Sequence, residues 1–110
     1  SGSTLGDETE LEAISQVFTE AIQDIWLNAT KAIVGHGLWS AGIVEAIATL
    51  VQMQQGFLHP NINLDNPINP KYRFVGKRCE EVAIHTALSN SFGFGGINST
   101  VIFSNQASRL

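Results

Sequence analysis

Near the end of the chain lies the stretch Ser89-Asn90-Ser91-Phe92-Gly93-Phe94-Gly95-Gly96-Ile97-Asn98. Its glycines separate two apolar segments, residues 82–91 and 97–103, whose composition predicts strands. The glycine-rich turn between them therefore predicts a tight hairpin with Phe92 and Phe94 in the core. The glycines would equally allow backbone amides to approach a ligand oxygen, as in an oxyanion hole. Both interpretations stay open on spacing alone.

The composition excludes several classes of protein. Of the 110 residues, 44% are hydrophobic and 15% are charged, whereas charged residues make up about 25% of an ordinary globular protein, so a disordered tail is excluded. A net charge of −4 argues against nucleic-acid binding. The single cysteine excludes a disulfide framework and indicates a reducing compartment. The sequence shows neither a membrane-spanning run nor a signal peptide, so we expect a cytoplasmic α/β or α+β unit with no membrane partner.

Charged residues are missing from two long segments. Residues 25–64 contain only Lys31 and Glu45, and residues 82–108 contain none. Because so few charges cover a solvated surface poorly, we expect most of residues 25–64 to be buried. That much apolar sequence exceeds the core of one small domain, which predicts either a partner surface or a larger fold of which this chain is one piece.

Apolar spacing and turn residues predict the other elements of the chain. Asp7 and Glu10 form a capping-box pattern before a helical periodicity, and Ser40 and Gly56 fit the start and the end of a second helix. The predicted order is a helix over residues 8–23, a strand over 25–29, a loop over 30–39, the second helix, an irregular crossing over 59–70 and the two strands of the hairpin.

Lys31 and Glu45 are candidates for chemistry because each is isolated among apolar residues. A buried ammonium or carboxylate group loses much of its hydration energy, and pairing the two groups would offset that loss. The alternative is that both side chains point to solvent at the ends of their elements.

His36 lies between two glycines in the loop predicted after the first strand. Flanking glycines permit a sharp turn that brings a ligand close to the imidazole, and loops after strands often carry active-site residues. The alternative is a histidine that makes one structural hydrogen bond. We predict that His59, in the crossing, and His85, inside a strand, are structural and that Cys79 is incidental. No spacing of these side chains predicts a metal site.

Several longer segments follow the pattern of one enzyme family. Residues 28–36 are Asn-Ala-Thr-Lys-Ala-Ile-Val-Gly-His, residues 40–47 are Ser-Ala-Gly-Ile-Val-Glu-Ala-Ile, and residues 61–67 are Asn-Ile-Asn-Leu-Asp-Asn-Pro. With residues 1–7 (Ser-Gly-Ser-Thr-Leu-Gly-Asp) and 89–98, they resemble the β-ketoacyl-acyl-carrier-protein synthases and polyketide ketosynthases in order and spacing. The matched family motifs are T-x-T-x-x-G-D, which follows the first catalytic histidine, K-x-x-x-G-H with its following helix, the crossing after that helix, and S-N-S-F-G-F-G-G-x-N.

The resemblance implies an α/β fold of the thiolase-like type, in which residues 1–110 would be the last portion of the C-terminal half. In that family a cysteine takes the acyl chain as a thioester. Two histidines then promote decarboxylation of a malonyl thioester, and the enolate attacks the acyl group. The implied protein is an acyltransferase of polyketide or fatty-acid biosynthesis that acts as a homodimer. Acyl carrier protein would be its partner, with the phosphopantetheine arm as substrate carrier and no bound cofactor or metal.

The resemblance also implies a role for individual residues. His36 would be the second catalytic histidine, which donates a hydrogen bond to the malonyl thioester carbonyl as enolate charge develops. Lys31 would be the family lysine near that histidine, paired with Glu45. Phe94 would be the gatekeeper phenylalanine, whose amide belongs to the oxyanion hole. The implied substrate-binding residues are Ser1, Ser3 and Phe92, of which the two serines would contact the phosphopantetheine arm.

Two departures from the family pattern bear on activity. The first catalytic histidine would lie two positions before Ser1 and the nucleophile earlier still, so we expect this chain to be inactive alone, as a fragment, a cut product or one chain of a split enzyme. Trp39 and Ser40 stand where the family has Gly-Ala, and the tryptophan would fill space near the acyl tunnel or change how the loop packs. Alternatives to a condensing enzyme are a malonyl-carrier-protein decarboxylase relative, a non-catalytic subunit of the chain-length-factor kind and an isolated domain without activity. Retention of Lys31, His36 and the Phe92–Gly96 turn argues against the non-catalytic subunit.

Overall fold

The computed structural model describes residues 2–62 and 64–105 of the chain. Within these ranges the backbone forms three α-helices, two 3-10 helices and six strands. The chain divides into two compact units, the first made of Ser1–His36 and His59–Cys79 and the second of Gly37–Leu58 and Glu80–Leu110. None of the helices in the described part of the chain combines the length and the hydropathy that crossing a bilayer requires.

In the first unit, helix α1 spans Thr4–Phe18 and continues as a 3-10 helix over Thr19–Asp24. The helix begins after Ser3, whose Oγ accepts a hydrogen bond from the backbone N–H of Gly6 at 3.1 Å. The prediction that Asp7 caps this helix is therefore wrong. Serine is as good an N-cap as aspartate. Asp7 instead lies in the first turn, where a carboxylate stabilises the helix start.

The strands of the first unit are short. Strand β1 (Trp26–Leu27) pairs in parallel with β3 (Arg73–Phe74), so the strand predicted at this position is shorter than expected. The backbone N–H of Val75 donates to the carbonyl oxygen of Leu27 at 2.9 Å and extends the pairing by one hydrogen bond. The buried apolar residues of this unit are Leu11, Ile22 and Val75.

The prediction of a loop over residues 30–39 is wrong. Helix α2 occupies Lys31–Val34, and a 3-10 helix occupies Leu38–Ser40 in the second unit. Helix α2 is a single turn in which the N–H groups of Ile33 and Val34 both donate to the carbonyl oxygen of Thr30. One turn is too short to leave a helical periodicity in the sequence, and the neighbouring glycines signal only a loop.

In the second unit, helix α3 spans Ala41–Gln55. It ends as predicted at Gly56, which is left-handed (φ +71°, ψ +43°) and donates its N–H to the carbonyl oxygen of Gln52. Ser40 precedes the helix as predicted, but its side chain does not cap it. Its Oγ donates instead to the carbonyl oxygen of Gly37 at 2.9 Å and closes the 3-10 turn before the helix.

Two antiparallel strand pairs complete the second unit. Strand β2 (Phe57–Leu58) pairs with β4 (Glu80–Glu81), and β5 (Thr86–Phe92) pairs with β6 (Asn98–Ser104). The longer pair is the predicted hairpin, with its strands starting four and one residues later than expected. A bend at His85 precedes the start of β5. Helix α3 packs against β5.

Much of the apolar sequence is exposed on this chain. The expectation that residues 25–64 are mostly buried is wrong for the described chain, because its own elements cover only part of their apolar side chains. Exposed apolar surface of this extent marks a contact surface. The exposed large hydrophobic residues of this segment are Ile33, Val34, Leu38, Trp39, Ile43, Val44, Ile47, Leu50, Val51 and Ile62.

Candidate active site

The residues with a predicted role are divided between the two units. Ser1 lies outside the described residues. The first unit contains Ser3, Lys31 and His36, and the second contains Glu45, Phe92 and Phe94.

His36 follows directly on the end of helix α2. Gly35 ends this helix with φ +76° and ψ −177°, a conformation that strains any residue with a side chain, and its N–H donates to the carbonyl oxygen of Lys31 at 2.8 Å. This geometry agrees with the predicted sharp turn. His36 is exposed on this chain, and its catalytic role stays a prediction.

A buried asparagine holds the segment that leads into helix α2. Asn61 is 8% exposed, and its Nδ2 donates to the carbonyl oxygens of Leu27 and Val75 at 3.0 and 2.8 Å. Its Oδ1 accepts from the N–H of Ala29 at 2.9 Å. One side chain thus joins the two parallel strands to the residues just before the helix. The sequence interpretation missed Asn61, since its only signal was one asparagine among four in an irregular crossing.

His59 makes a second connection to the same segment. It is 8% exposed, with Nδ1 3.0 Å from the carbonyl oxygen of Pro60 and Nε2 3.0 Å from Oγ1 of Thr30. A carbonyl oxygen can only accept, so Nδ1 carries the hydrogen, and in the neutral ring Nε2 accepts from the Thr30 hydroxyl. Its carbonyl oxygen also accepts from Nδ2 of Asn28 at 3.2 Å. The prediction that His59 is structural agrees with these contacts.

The glycine-rich turn at the other end of the chain closes the β5–β6 hairpin. The N–H of Gly93 donates to the carbonyl oxygen of Ile97 at 2.7 Å, and Gly95 and Gly96 have φ +81° and +78°. The hairpin prediction is therefore confirmed. The prediction that both phenylalanines of the turn lie in the core is wrong for this chain, because both side chains are exposed. Phe92 is 56% exposed and Phe94 98% exposed.

Glu45 lies in the predicted helix, whereas Lys31 lies in a helical turn and not in the predicted loop. Lys31 is the first residue of helix α2 and Glu45 lies in helix α3, and both are half-buried. They belong to different units, so the predicted ion pair between them stays a prediction.

Ser3 has a structural partner. As the N-cap of helix α1, it holds the backbone of a segment predicted to contact substrate. A contact of Ser3 with the phosphopantetheine arm stays a prediction.

Trp39 lies in the 3-10 helix that follows His36 in sequence, and its side chain is fully exposed on this chain. The residue before it, Leu38, has φ +52°, which is uncommon for a leucine. A Cβ atom at Gly37 would lie 2.6 Å from Oγ of Ser40, so a side chain there would displace the Ser40 hydroxyl from its hydrogen bond to the carbonyl oxygen of Gly37. The backbone around Trp39 is thus closely constrained.

No group of three His, Cys, Asp or Glu side chains in residues 2–62 and 64–105 could hold a metal ion. Cys79 is exposed, and His85 is exposed just before β5 rather than inside a strand as predicted.

Comparison with protein families decides what these motifs belong to. A family model described as the C-terminal domain of β-ketoacyl synthase matches residues 1–65, which is more than half of the chain. The chain belongs to the β-ketoacyl synthase family. The match to the C-terminal domain of this family agrees with the family motifs found in the sequence.

Curated members of the β-ketoacyl synthase family align over most of this chain. It is 45% identical over 104 residues to a polyketide biosynthesis malonyl-ACP decarboxylase of Bacillus subtilis, covering 94% of this chain and 24% of the relative. It is 46% identical over 101 residues to the chloroplastic 3-oxoacyl-[acyl-carrier-protein] synthase II of Arabidopsis thaliana, covering 89% of this chain and 18% of the relative. The chain therefore spans about a quarter or less of the length of these relatives.

A solved structure confirms the expected fold class. The chain matches, with a TM-score of 0.88 and 30% identity, a chain of a type II polyketide synthase complex described as an acyl-carrier protein with its ketosynthase bound to the hexaketide. The match covers 94% of this chain and 26% of that one. The fold is thus the C-terminal part of a thiolase-like α/β fold, as the motifs implied.

Proposed function

We propose that the protein containing this chain is a ketosynthase-type acyltransferase. It catalyses the decarboxylative Claisen condensation of malonyl-carrier protein with an acyl thioester in polyketide or fatty-acid biosynthesis. Residues 1–110 form the C-terminal segment of its thiolase-like domain and are inactive alone. The observation that carries the proposal is the placement of His36, exposed directly after the Gly35 turn in a chain of the β-ketoacyl synthase family.

In the proposed reaction His36 stabilises the developing enolate. The bond between the malonyl carboxylate and the adjacent carbon breaks, carbon dioxide leaves, and the electron pair moves into the thioester as an enolate. The imidazole donates a hydrogen bond to the thioester carbonyl oxygen as negative charge accumulates there, which lowers the energy of the transition state more than that of the ground state. The enolate carbon then attacks the acyl thioester carbonyl, and the enzyme thiolate leaves. The nucleophile and the first histidine lie outside this sequence.

The hairpin turn supplies the second element of the proposed mechanism. Backbone amides near Phe94 would stabilise the oxyanion that forms when the enolate attacks the acyl thioester. The support is conformational: Gly95 and Gly96 follow Phe94 with positive φ, in a turn whose residues are exposed on this chain. Phe94 would act as the gatekeeper and Phe92 as a substrate contact.

Acyl carrier protein would be the partner that delivers both substrates. Its phosphopantetheine arm would contact Ser1 and Ser3, and the complete enzyme would act as a homodimer. Lys31 would pair with Glu45 near His36. These assignments rest on the family motifs, and a relative's structure described as a complex with its acyl carrier protein supports the partner.

A second candidate function is decarboxylation without condensation. The similarity to a curated malonyl-ACP decarboxylase favours it, as does Trp39, a bulky residue where the family pattern has glycine. Such an enzyme would use His36 in the same way, but the enolate would take up a proton instead of attacking an acyl group. Acetyl-carrier protein and carbon dioxide would then be the products.

Mass spectrometry of the carrier protein distinguishes the two functions. The complete enzyme is incubated with malonyl-carrier protein, with and without an acyl donor. A β-ketoacyl-carrier protein that forms only with the acyl donor confirms condensation. Acetyl-carrier protein as the sole product under both conditions would contradict condensation and establish the decarboxylase. Unchanged malonyl-carrier protein would contradict both functions.

A further inference from the structure

Helix α2, which leads to His36, is too short to hold itself in place. It has a single turn, Lys31–Val34, and an isolated turn of helix is unstable in water because each nucleation step fixes several residues for one hydrogen bond. Its N-cap, Thr30, makes no side-chain capping hydrogen bond to the helix. The position of this turn must therefore be set by tertiary contacts.

The structure provides such contacts immediately before the helix. The Thr30 hydroxyl bonds to Nε2 of His59 at 3.0 Å, and the N–H of Ala29 bonds to Oδ1 of Asn61 at 2.9 Å. His59 and Asn61 are both buried, and Asn61 is itself fixed by the carbonyl oxygens of Leu27 and Val75. Two adjacent residues at the start of the turn are thus attached to a rigid, buried part of the same unit.

We propose that Thr30 and His59 are positioning residues for His36. The hydrogen bond between them fixes the residue whose carbonyl oxygen accepts the N–H groups of Ile33 and Val34 and so sets the direction of the whole turn. Gly35 then transmits that direction to His36 through one fixed backbone conformation. In this role the two residues act through the backbone of helix α2 and not through the substrate. This inference rests on the proposed function, because it gives His36 the catalytic role.

Substitutions of Thr30 can test its hydroxyl group separately from the rest of its side chain. Thr30→Val keeps the branched shape of the side chain and replaces the hydroxyl with a methyl group, and no helix cap is lost because the side chain makes none. Thr30→Ser keeps the hydroxyl and removes the methyl group. A matched control is Tyr72→Phe, which removes another half-buried hydroxyl hydrogen bond of the same unit, from Tyr72 Oη to the carbonyl oxygen of Leu11 at 3.3 Å.

The test is steady-state decarboxylation of malonyl-carrier protein by the complete enzyme. A misplaced catalytic group loses stabilisation of the transition state but leaves binding of the carrier protein intact, so Thr30→Val lowers kcat by about tenfold with little change in KM. Thr30→Ser restores kcat to within about twofold of the wild-type value, as expected if only the hydroxyl matters. Tyr72→Phe leaves kcat unchanged.

Three outcomes would overturn the positioning role. They are an unchanged kcat in Thr30→Val, an equal loss of kcat in Tyr72→Phe, and a Thr30→Val enzyme that does not fold, since the hydroxyl would then serve stability. The proposed function fails separately, through His36→Ala retaining wild-type decarboxylation. If His36→Ala is inactive while Thr30→Val is fully active, only the positioning role is wrong.

Discussion

Nδ2 of Asn61 donates a hydrogen bond to the carbonyl oxygen of Val75 at 2.8 Å in the buried interior of the first unit. Asn61 lies near the start of the crossing and Val75 follows strand β3, so this bond joins the two ends of the segment between them. The same side chain also donates to the carbonyl oxygen of Leu27 and accepts from the N–H of Ala29. The interior of this unit is therefore organised around a polar residue as much as around its apolar core.

We predict that Asn61→Leu destabilises the protein strongly. The substitution keeps a similar volume but leaves the carbonyl oxygen of Val75 and the N–H of Ala29 without this partner, at a cost of about 3 kcal/mol. The carbonyl oxygen of Leu27 keeps its hydrogen bond from the N–H of Val75. The measurement is the midpoint of urea unfolding of the complete protein. The control is Asn69→Ala, which removes an exposed side-chain hydrogen bond to the N–H of Lys71 and should cost less than about 1 kcal/mol. Equal midpoints for the two variants would contradict the role of Asn61.

The hairpin turn should resist side chains at its two positive-φ glycines. Gly95→Ala and Gly96→Ala would each cost about 1–2 kcal/mol, because an alanine Cβ atom is strained at φ near +80° even though open space surrounds both positions. The control is Gly76→Ala, which meets no neighbour within 4 Å and has no positive φ. Thermal unfolding of the three variants checks this. A destabilisation of the control as large as that of the turn variants would show that backbone conformation is not the cause.

A double-mutant cycle tests the predicted pairing of Lys31 with Glu45. If the two charges pair, removing either one leaves the other half-buried without compensation, and removing both costs less than the sum of the single losses. We expect a coupling of about 1–3 kcal/mol between Lys31→Met and Glu45→Gln in the free energy of unfolding. Additive effects would mean that the two residues do not pair.

We predict that the side chain of Trp39 limits the length of the acyl chain that the complete enzyme accepts. In the complete enzyme, Trp39→Gly is expected to raise the rate with a long acyl donor by about tenfold, since a large side chain that fills an acyl site discriminates by size. Decarboxylation of malonyl-carrier protein should stay within about twofold of the wild-type rate. Product analysis by mass spectrometry measures both. An unchanged acyl preference would show that Trp39 does not fill the acyl site.

The sequence predicted those parts of the fold that have long periodic patterns or strong turn residues. The second helix with Gly56 at its end and the hairpin around Gly95 and Gly96 are examples, because glycine at a positive φ leaves a local signal. It missed helix α2, since one turn has no periodicity. It also misplaced the first cap at Asp7, because Ser3 and Asp7 both suit a helix start.

The sequence predicted candidate residues for the site, but not the contacts that support them. His36 and the hairpin turn were found because glycines mark them in the sequence. The support from His59 and Asn61 was not, because hydrogen bonds across about 30 residues leave no local pattern. Burial was overpredicted for a different reason. The amount of apolar sequence shows how much surface needs covering, but not whether an element of this chain covers it.

The most direct test of the central claim is the rate of carbon dioxide release from malonyl-carrier protein by the complete enzyme carrying His36→Ala. If His36 donates the hydrogen bond that stabilises the enolate, the rate falls by about 10²–10³-fold. Circular dichroism and the unfolding midpoint of the variant are measured alongside, so that a loss of rate is separated from a loss of folding. Carbon dioxide release at the wild-type rate from the folded variant would contradict the role of His36 and, with it, the proposed mechanism.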